Sequence, residues 1–192
     1  MGRSGSGKGT QINLLKESYN KENTESSIFH YEAGNIFREI IKSGNYSSNL
    51  IKKITEEGGL VPDFITDSLF ISRMVDQFQG DNQLIIFDGY PRSFIQADSL
   101  DKTLQYFGRS HAVVLHIKVS EEEVRTRMAE RGRYDDKDSA VLENRIKFYN
   151  ESVLPTLERY RTNSRYTVID IDGEGDVNDI HKDIMTKLTA IK

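Results

Sequence analysis

The 192-residue chain contains no cysteine. That absence excludes thiol nucleophiles, disulfides and thiolate zinc sites together, and it is in keeping with a reducing compartment. Long apolar runs are also missing. The longest, Leu84 to Phe87 and Ala112 to Leu115, are strand-sized, against about 20 residues for a bilayer span. No secretory leader pattern precedes them. Nor is there an excess of positive charge: the net charge is −4 and the isoelectric point about 5.6. This balance argues against a duplex nucleic-acid binder, which carries a basic footprint. These absences lead to the expectation of a cytoplasmic monomer with neither a membrane nor a nucleic acid as partner. A domain of this length buries most of its unfolded surface and needs no covalent or metal staple.

What positive charge there is gathers locally. Arg125, Arg127, Arg131 and Arg133 fall close together, followed by Arg145, with Arg38 and Arg92 elsewhere. Clustered arginines on an acidic protein suit a small anionic ligand. The patterning places them on an α/β framework. Four runs rich in β-branched or aromatic residues, at 27–31, 84–87, 111–119 and 166–171, alternate with helical patterns. The second and third are continuously apolar, as in strands covered on both faces. Pro62 suits a first helical position, with Ile71, Met74, Val75 and Phe78 as the apolar stripe. Ser120 and Glu123 form a capping box ahead of Val124 and Met128. Leu142, Ile146, Tyr149 and Val153 mark a further helix, and Val177, Ile180, Ile184, Leu188 and Ile191 the last. Such alternation predicts a parallel sheet with helices on both faces. No repeat or linker divides the chain. The four histidines, His30, His111, His116 and His181, show no ligand spacing and no partner, and are read as structural.

Two segments carry chemistry. The opening reads Gly2-Arg3-Ser4-Gly5-Ser6-Gly7-Lys8-Gly9-Thr10-Gln11. Glycines let backbone N–H groups curl around phosphate oxygens, Lys8 adds charge, and the following helix aims its dipole at the same anion. Read alone, the same run also fits a flexible Gly/Ser-rich terminus. The second segment is Asp88-Gly89-Tyr90-Pro91-Arg92, after the Leu84–Phe87 run. An acid at the carboxyl end of a buried parallel strand faces the crevice where open α/β sheets bind ligands. Asp88 there suits Mg²⁺ held through waters, and Arg92 suits a phosphoryl group. A lone Asp-Gly is more often a turn.

Gly-Lys-Gly-Thr-Gln at 7–11, together with Asp88-Gly89-Tyr90-Pro91-Arg92 and Gln96, resembles the adenylate kinase family of nucleoside-monophosphate kinases in its short-lid form. His30 to Arg38 and Gly58-Gly59-Leu60-Val61-Pro62-Asp63 resemble the family segments that open and close the monophosphate lobe. The resemblance implies one P-loop kinase domain over 1–192, with an inserted lobe at about 32–61 and a lid at about 131–137. It implies transfer of the γ-phosphoryl of Mg·ATP to AMP, giving two ADP, with Mg²⁺ as cofactor. On that resemblance ATP is held by Gly5, Ser6, Gly7, Lys8, Gly9 and Thr10, with Arg127 and Arg131 from the lid side. AMP falls to Ala33, Arg38, Val61, Gly89, Arg92, Gln96, Arg133 and Arg145. The catalytic set is Lys8, Arg92, Arg133 and Arg145, with Asp88 organising the metal.

Departures from the family pattern leave alternatives. Ala33-Gly34-Asn35 replaces the usual Thr-Gly-Asp and is closer to UMP/CMP kinases, whereas Gln96 suits adenine. The loop starts at Gly2 with only Met1 before it, so the family's central first strand is expected to be lacking. An unpaired slot in mid-sheet would leave backbone groups without partners. A catalytically impaired nucleotide-binding fragment is therefore the alternative from outside the enzymes.

Overall fold

The computed structural model describes residues 1–22, 27–80, 82–131 and 139–191. The order is α1 (Lys8–Glu22), β1 (Ile28–Glu32), α2 (Ala33–Ile41), α3 (Tyr46–Glu56), α4 (Asp63–Gln77), β2 (Leu84–Asp88) and α5 (Phe94–Tyr106). Then come β3 (Ala112–Lys118), α6 (Glu121–Arg131), α7 (Ser139–Phe148), a π-helical turn (Tyr149–Val153), α8 (Leu154–Arg161), β4 (Tyr166–Asp172) and α9 (Val177–Thr189). The four strands coincide with the runs read from the sequence.

All pairing is parallel. Ile28 stands opposite Leu84 through to Glu32 opposite Asp88, and Ala112 opposite Tyr166 through to Lys118 opposite Asp172. The strands form two separate pairs, however, β1 with β2 and β3 with β4. Met1 stands between them. Its nitrogen donates to the Leu115 carbonyl, and its carbonyl accepts from Ile117 N–H at 3.0 Å. That is how a parallel-ladder residue opposite His116 bonds. The same amino group also feels the Asp88 carboxylate at the end of β2. The expected mid-sheet slot is therefore occupied by one residue at its carboxyl end. Each of the five β2 residues is only half-buried, where the apolar run predicts cover on both faces.

Period-two alternation sorts β3 and β4 into two faces. Leu115, Ile117, Ile169 and Ile171 pack with Val124 and Met128 of α6 and Ile180 and Ile184 of α9. Ala112, Val114, Tyr166 and Val168 pack on the other side with Ala97 of α5 and Tyr160 of α8. Around β1, Phe29 and Tyr31 join Phe70 and Met74 of α4 with Leu100 and Leu104 of α5. Edge-on aromatic contacts link Tyr31 to Phe70 at 5.4 Å and to Tyr90 at 5.6 Å, a favoured geometry for ring quadrupoles. The core thereby anchors the segment after β2 directly.

Four local readings change. In α4 the buried face is Thr66, Phe70 and Met74, spaced by four. Ile71 and Val75 point to solvent, 44% and 67% exposed, because the core beside β1 selects the register and local hydrophobicity does not. Pro62 is the N-cap and the helix starts at Asp63. The capping box at Ser120 is only half made. Ser120 Oγ accepts from Glu123 N–H at 3.3 Å, but Ser120 N–H donates to Glu174 at 2.7 Å because Glu123 is drawn to Arg127. Three histidines thought partnerless have partners, among them His111, whose Nε2 meets Thr167 Oγ1 at 3.0 Å. His116 Nδ1 bonds Asp170 and Nε2 bonds Tyr149 Oη, both at 2.8 Å, and His181 meets Ser18 Oγ. No helix among the described residues is long and apolar enough to cross a membrane.

Candidate active site

The carboxyl ends of β1, β2 and β4 open into one cleft of about 940 Å³, lined there by Glu32, Asp88 and Gly173. This is where an open parallel α/β sheet binds ligands. The glycine loop forms the floor. At Gly2 the backbone takes φ 147°, and a Cβ there would lie 2.6 Å from the Ile117 carbonyl oxygen. Only glycine lets the loop leave β3 so closely. Ser6 is buried, and α1 begins at Lys8, so its N-terminal amides face the cleft.

Lys8 folds back over its own loop. Its ammonium donates to the carbonyls of Gly2 at 2.8 Å and Arg3 at 2.6 Å, and to Ser6 Oγ at 3.3 Å. Burial pushes its pKa down to about 8, Asp88 opposes the shift, and Arg92 adds to it. A phosphate placed here would supply the counter-charge that the loop carbonyls only partly provide. Nucleotide binding at pH 9 is accordingly expected to take up close to one proton, because free Lys8 is then mostly neutral and the phosphate-bound form charged. Calorimetry in buffers of different ionisation enthalpy measures this. No uptake at pH 9 would mean that phosphate does not reach Lys8.

Arg92, another lining residue, turns onto its own segment. Nε donates to the Gly89 carbonyl at 2.8 Å, and the guanidinium lies 5.6 Å from the Phe148 ring centre. Gly89 has φ 73°, and a Cβ there would come 2.9 Å from Arg92 Nη2. Any side chain at 89 would displace this arginine. Burial lowers the Arg92 pKa, Asp88 works against that, and Arg145 reinforces it. The fold thus brings two cations together beside one acid, an arrangement that favours a bound anion.

The cleft collects most of the residues singled out from the sequence: the loop from Gly5 to Thr10, Arg38, Val61, Asp88, Gly89, Arg92, Gln96, Arg127 and Arg145. Arg38 pairs with Glu32 at 2.9 Å, and Arg127 with Glu123 at 2.6 Å. Ala33 does not reach the cleft, since its methyl is buried among Phe29, Tyr31 and Phe70. Gly34 lines the cleft in its place. Arg131 closes α6. Arg133 and the rest of the expected lid lie outside the described residues.

Some lining residues escaped the sequence reading: Phe148, Val177, and the pair Gly173 and Gly175 after β4. Two glycines beyond a parallel strand could have pointed to the last of these. Phe148 carried no such signal. For a metal, the described residues contain no group of three or more carboxylate or imidazole ligands. Asp88 beside a phosphate site fits Mg²⁺ held mainly by water and substrate oxygens, as Mg²⁺ prefers. It does not fit an ion caged by protein ligands.

A glycine loop ending in a half-buried lysine, an acid at a strand end and converging arginines define a P-loop protein built to hold phosphorylated ligands. A family model for adenylate kinase matches residues 1–165. The chain is 34% identical over 185 residues to the adenylate kinase of Flavobacterium psychrophilum, covering 94% of this chain and 92% of that one. It is 34% identical over 187 residues to that of Bacteroides fragilis, with 95% and 93% covered, and 32% identical over 180 residues to that of Corynebacterium urealyticum. The chain belongs to the adenylate kinase family.

Proposed function

We propose that this protein transfers the γ-phosphoryl group of ATP to AMP, giving two ADP, as a monomer in the cytoplasm. The observation that carries the reading is one cleft lined by the Lys8 loop, Arg38, Arg92, Arg145 and Asp88, with Lys8 and Arg92 both within electrostatic reach of Asp88. An oxygen of the AMP phosphate forms the new bond to the γ-phosphorus while the bridging β,γ bond breaks, its electrons remaining on the new ADP. Such a transition state is loose and needs alignment and charge neutralisation more than covalent help. Lys8 and the loop amides hold the ATP phosphates, and Arg127 grips them from α6. Arg38, Arg92 and Arg145 hold and orient the AMP phosphate. Asp88 would hold Mg²⁺ through waters, and the ion when bound supplies neutralisation of β- and γ-phosphate charge. Residues 32–61 form the monophosphate lobe, with Gln96 and Val61 at the base.

Ala33, whose likeness to UMP/CMP kinases stood against AMP, keeps its methyl in the core, and Gln96 lines the cleft. The first takes the Ala33 side chain out of base reading, and the second favours adenine as the acceptor base. The test is product analysis with Mg·ATP and AMP, CMP or UMP in parallel. ADP formation that depends on AMP, at least about tenfold faster than transfer to either pyrimidine nucleotide, is the expected result. Equal rates with CMP would overturn the acceptor assignment. No transfer to any acceptor would overturn the activity.

A further inference from the structure

We infer that Asp63, which does not line the cleft, sets the accepted base by fixing which way the Gln96 carboxamide points. The inference rests on the reading of Gln96 as the group that meets the acceptor base. Gln96 is 1% exposed, and its amide is held at both ends. Nε2 donates to Asp63 Oδ1 at 2.8 Å, and Oε1 accepts from Arg92 N–H at 2.8 Å. A carboxylate oxygen accepts and a peptide N–H donates, so the two partners assign the amide's orientation without ambiguity. Turning it over would set oxygen against oxygen at Asp63 and N–H against N–H at Arg92.

Asp63 is itself well held. It is the first residue of α4, where the helix dipole favours a negative charge. Its Oδ1 takes a second hydrogen bond, from Ser93 Oγ at 2.8 Å. Ser93 in turn caps α5, accepting from Gln96 N–H at 3.2 Å. The carboxylate is thereby tied to the turn of helix that carries the glutamine.

Each amide end has further capacity: Nε2 a second hydrogen and Oε1 a second lone pair. Since Gln96 lines the cleft, these are what it can offer a base, in one fixed spatial order. A 6-aminopurine presents an amino donor beside a ring-nitrogen acceptor. A 6-oxopurine presents a carbonyl acceptor beside a ring N–H donor, the reverse order. A freely turning carboxamide would serve both, whereas the clamped one serves the amino form. Asp63 is thus a positioning residue that turns Gln96 from a permissive group into a selective one.

The test compares AMP with inosine monophosphate, a 6-oxopurine nucleotide, as acceptors. Asp63→Asn keeps the volume but can donate or accept, which removes the directional preference at one end. The ratio of kcat/KM for AMP over inosine monophosphate is expected to fall by about tenfold or more. KM for AMP rises, while kcat at saturating AMP stays within about threefold. Ser93→Ala, which removes one of the two donors to Asp63, shifts the same ratio in the same direction by less, and serves if Asp63→Asn does not fold. A purely structural role would slow both acceptors alike and leave the ratio unchanged, overturning the inference. Gln96→Leu separates this from the underlying reading. If it too leaves the ratio unchanged, the base is met elsewhere and both fall. If it collapses the ratio while Asp63→Asn does not, only the clamp falls.

Discussion

Replacing Lys8 by methionine is expected to lower turnover by on the order of 10³-fold, about 4 kcal/mol in barrier, while the thermal midpoint moves by no more than about 3 °C. The asymmetry follows from where the ammonium sits. In the free protein its burial is costly enough to pull the pKa down to about 8, against the favourable pull of Asp88. Its three hydrogen bonds go to its own loop and hold no other element. Losing them is offset by no longer burying a charge. In the transition state the same ammonium meets phosphoryl oxygens and has no substitute. Product formation and thermal unfolding, measured on one preparation, check both halves. A midpoint lowered by 10 °C or more would make Lys8 a structural residue. The pH dependence adds a signature. Because the folded pKa is depressed, the unfolded chain binds more protons between about pH 8 and 10.5, so stability rises with pH across that window. The rise should be absent from Lys8→Met.

Replacing Gly2 by alanine is expected to have the largest effect on stability. Gly2 has φ 147°, and a Cβ there would lie 2.6 Å from the Ile117 carbonyl oxygen and 2.9 Å from Ser6 Oγ. The loop would have to move off β3, which puts at risk the ladder bonds of Met1 to Leu115 and Ile117. Strained backbone and lost hydrogen bonds together are expected to cost about 3–4 kcal/mol, or roughly 8–12 °C in midpoint. Gly9→Ala, where nothing lies within 4 Å of the added Cβ, should move the midpoint by less than about 3 °C. Equal losses from both substitutions in thermal unfolding would show that the close approach to Ile117 is not what requires glycine at position 2.

The elements and the site were legible to different depths. Strand positions could be read because each is a short apolar run bounded by turn residues. The phosphate loop and the Asp88–Arg92 segment could be read because their chemistry is carried by neighbours in sequence. The buried face of α4 could not. Ile71 and Val75 are as apolar as Phe70 and Met74, and only the position of Tyr31 decides which pair turns inward. His116 likewise found its partners 33 and 54 residues away, a separation that leaves no local pattern. Asp63 is the same kind of case: in sequence it is the acid after Pro62, with nothing to join it to Gln96.

The sequence by itself determined the class of ligand, because a glycine loop that cradles phosphate and a lysine that follows it are contiguous and owe their shape to local backbone freedom. It also determined parallel α/β architecture, through alternating periodicities. Tertiary structure alone decided which charges meet. It gathered Arg38, Arg92, Arg127 and Arg145 around Asp88 and Lys8, kept Ala33 in the core, left β2 half-covered, and set Asp63 against the Gln96 amide. The physical reason is range. Backbone preference acts over a few residues, whereas burial, counter-charge and hydrogen-bond orientation depend on groups that only packing brings within 3 Å of one another.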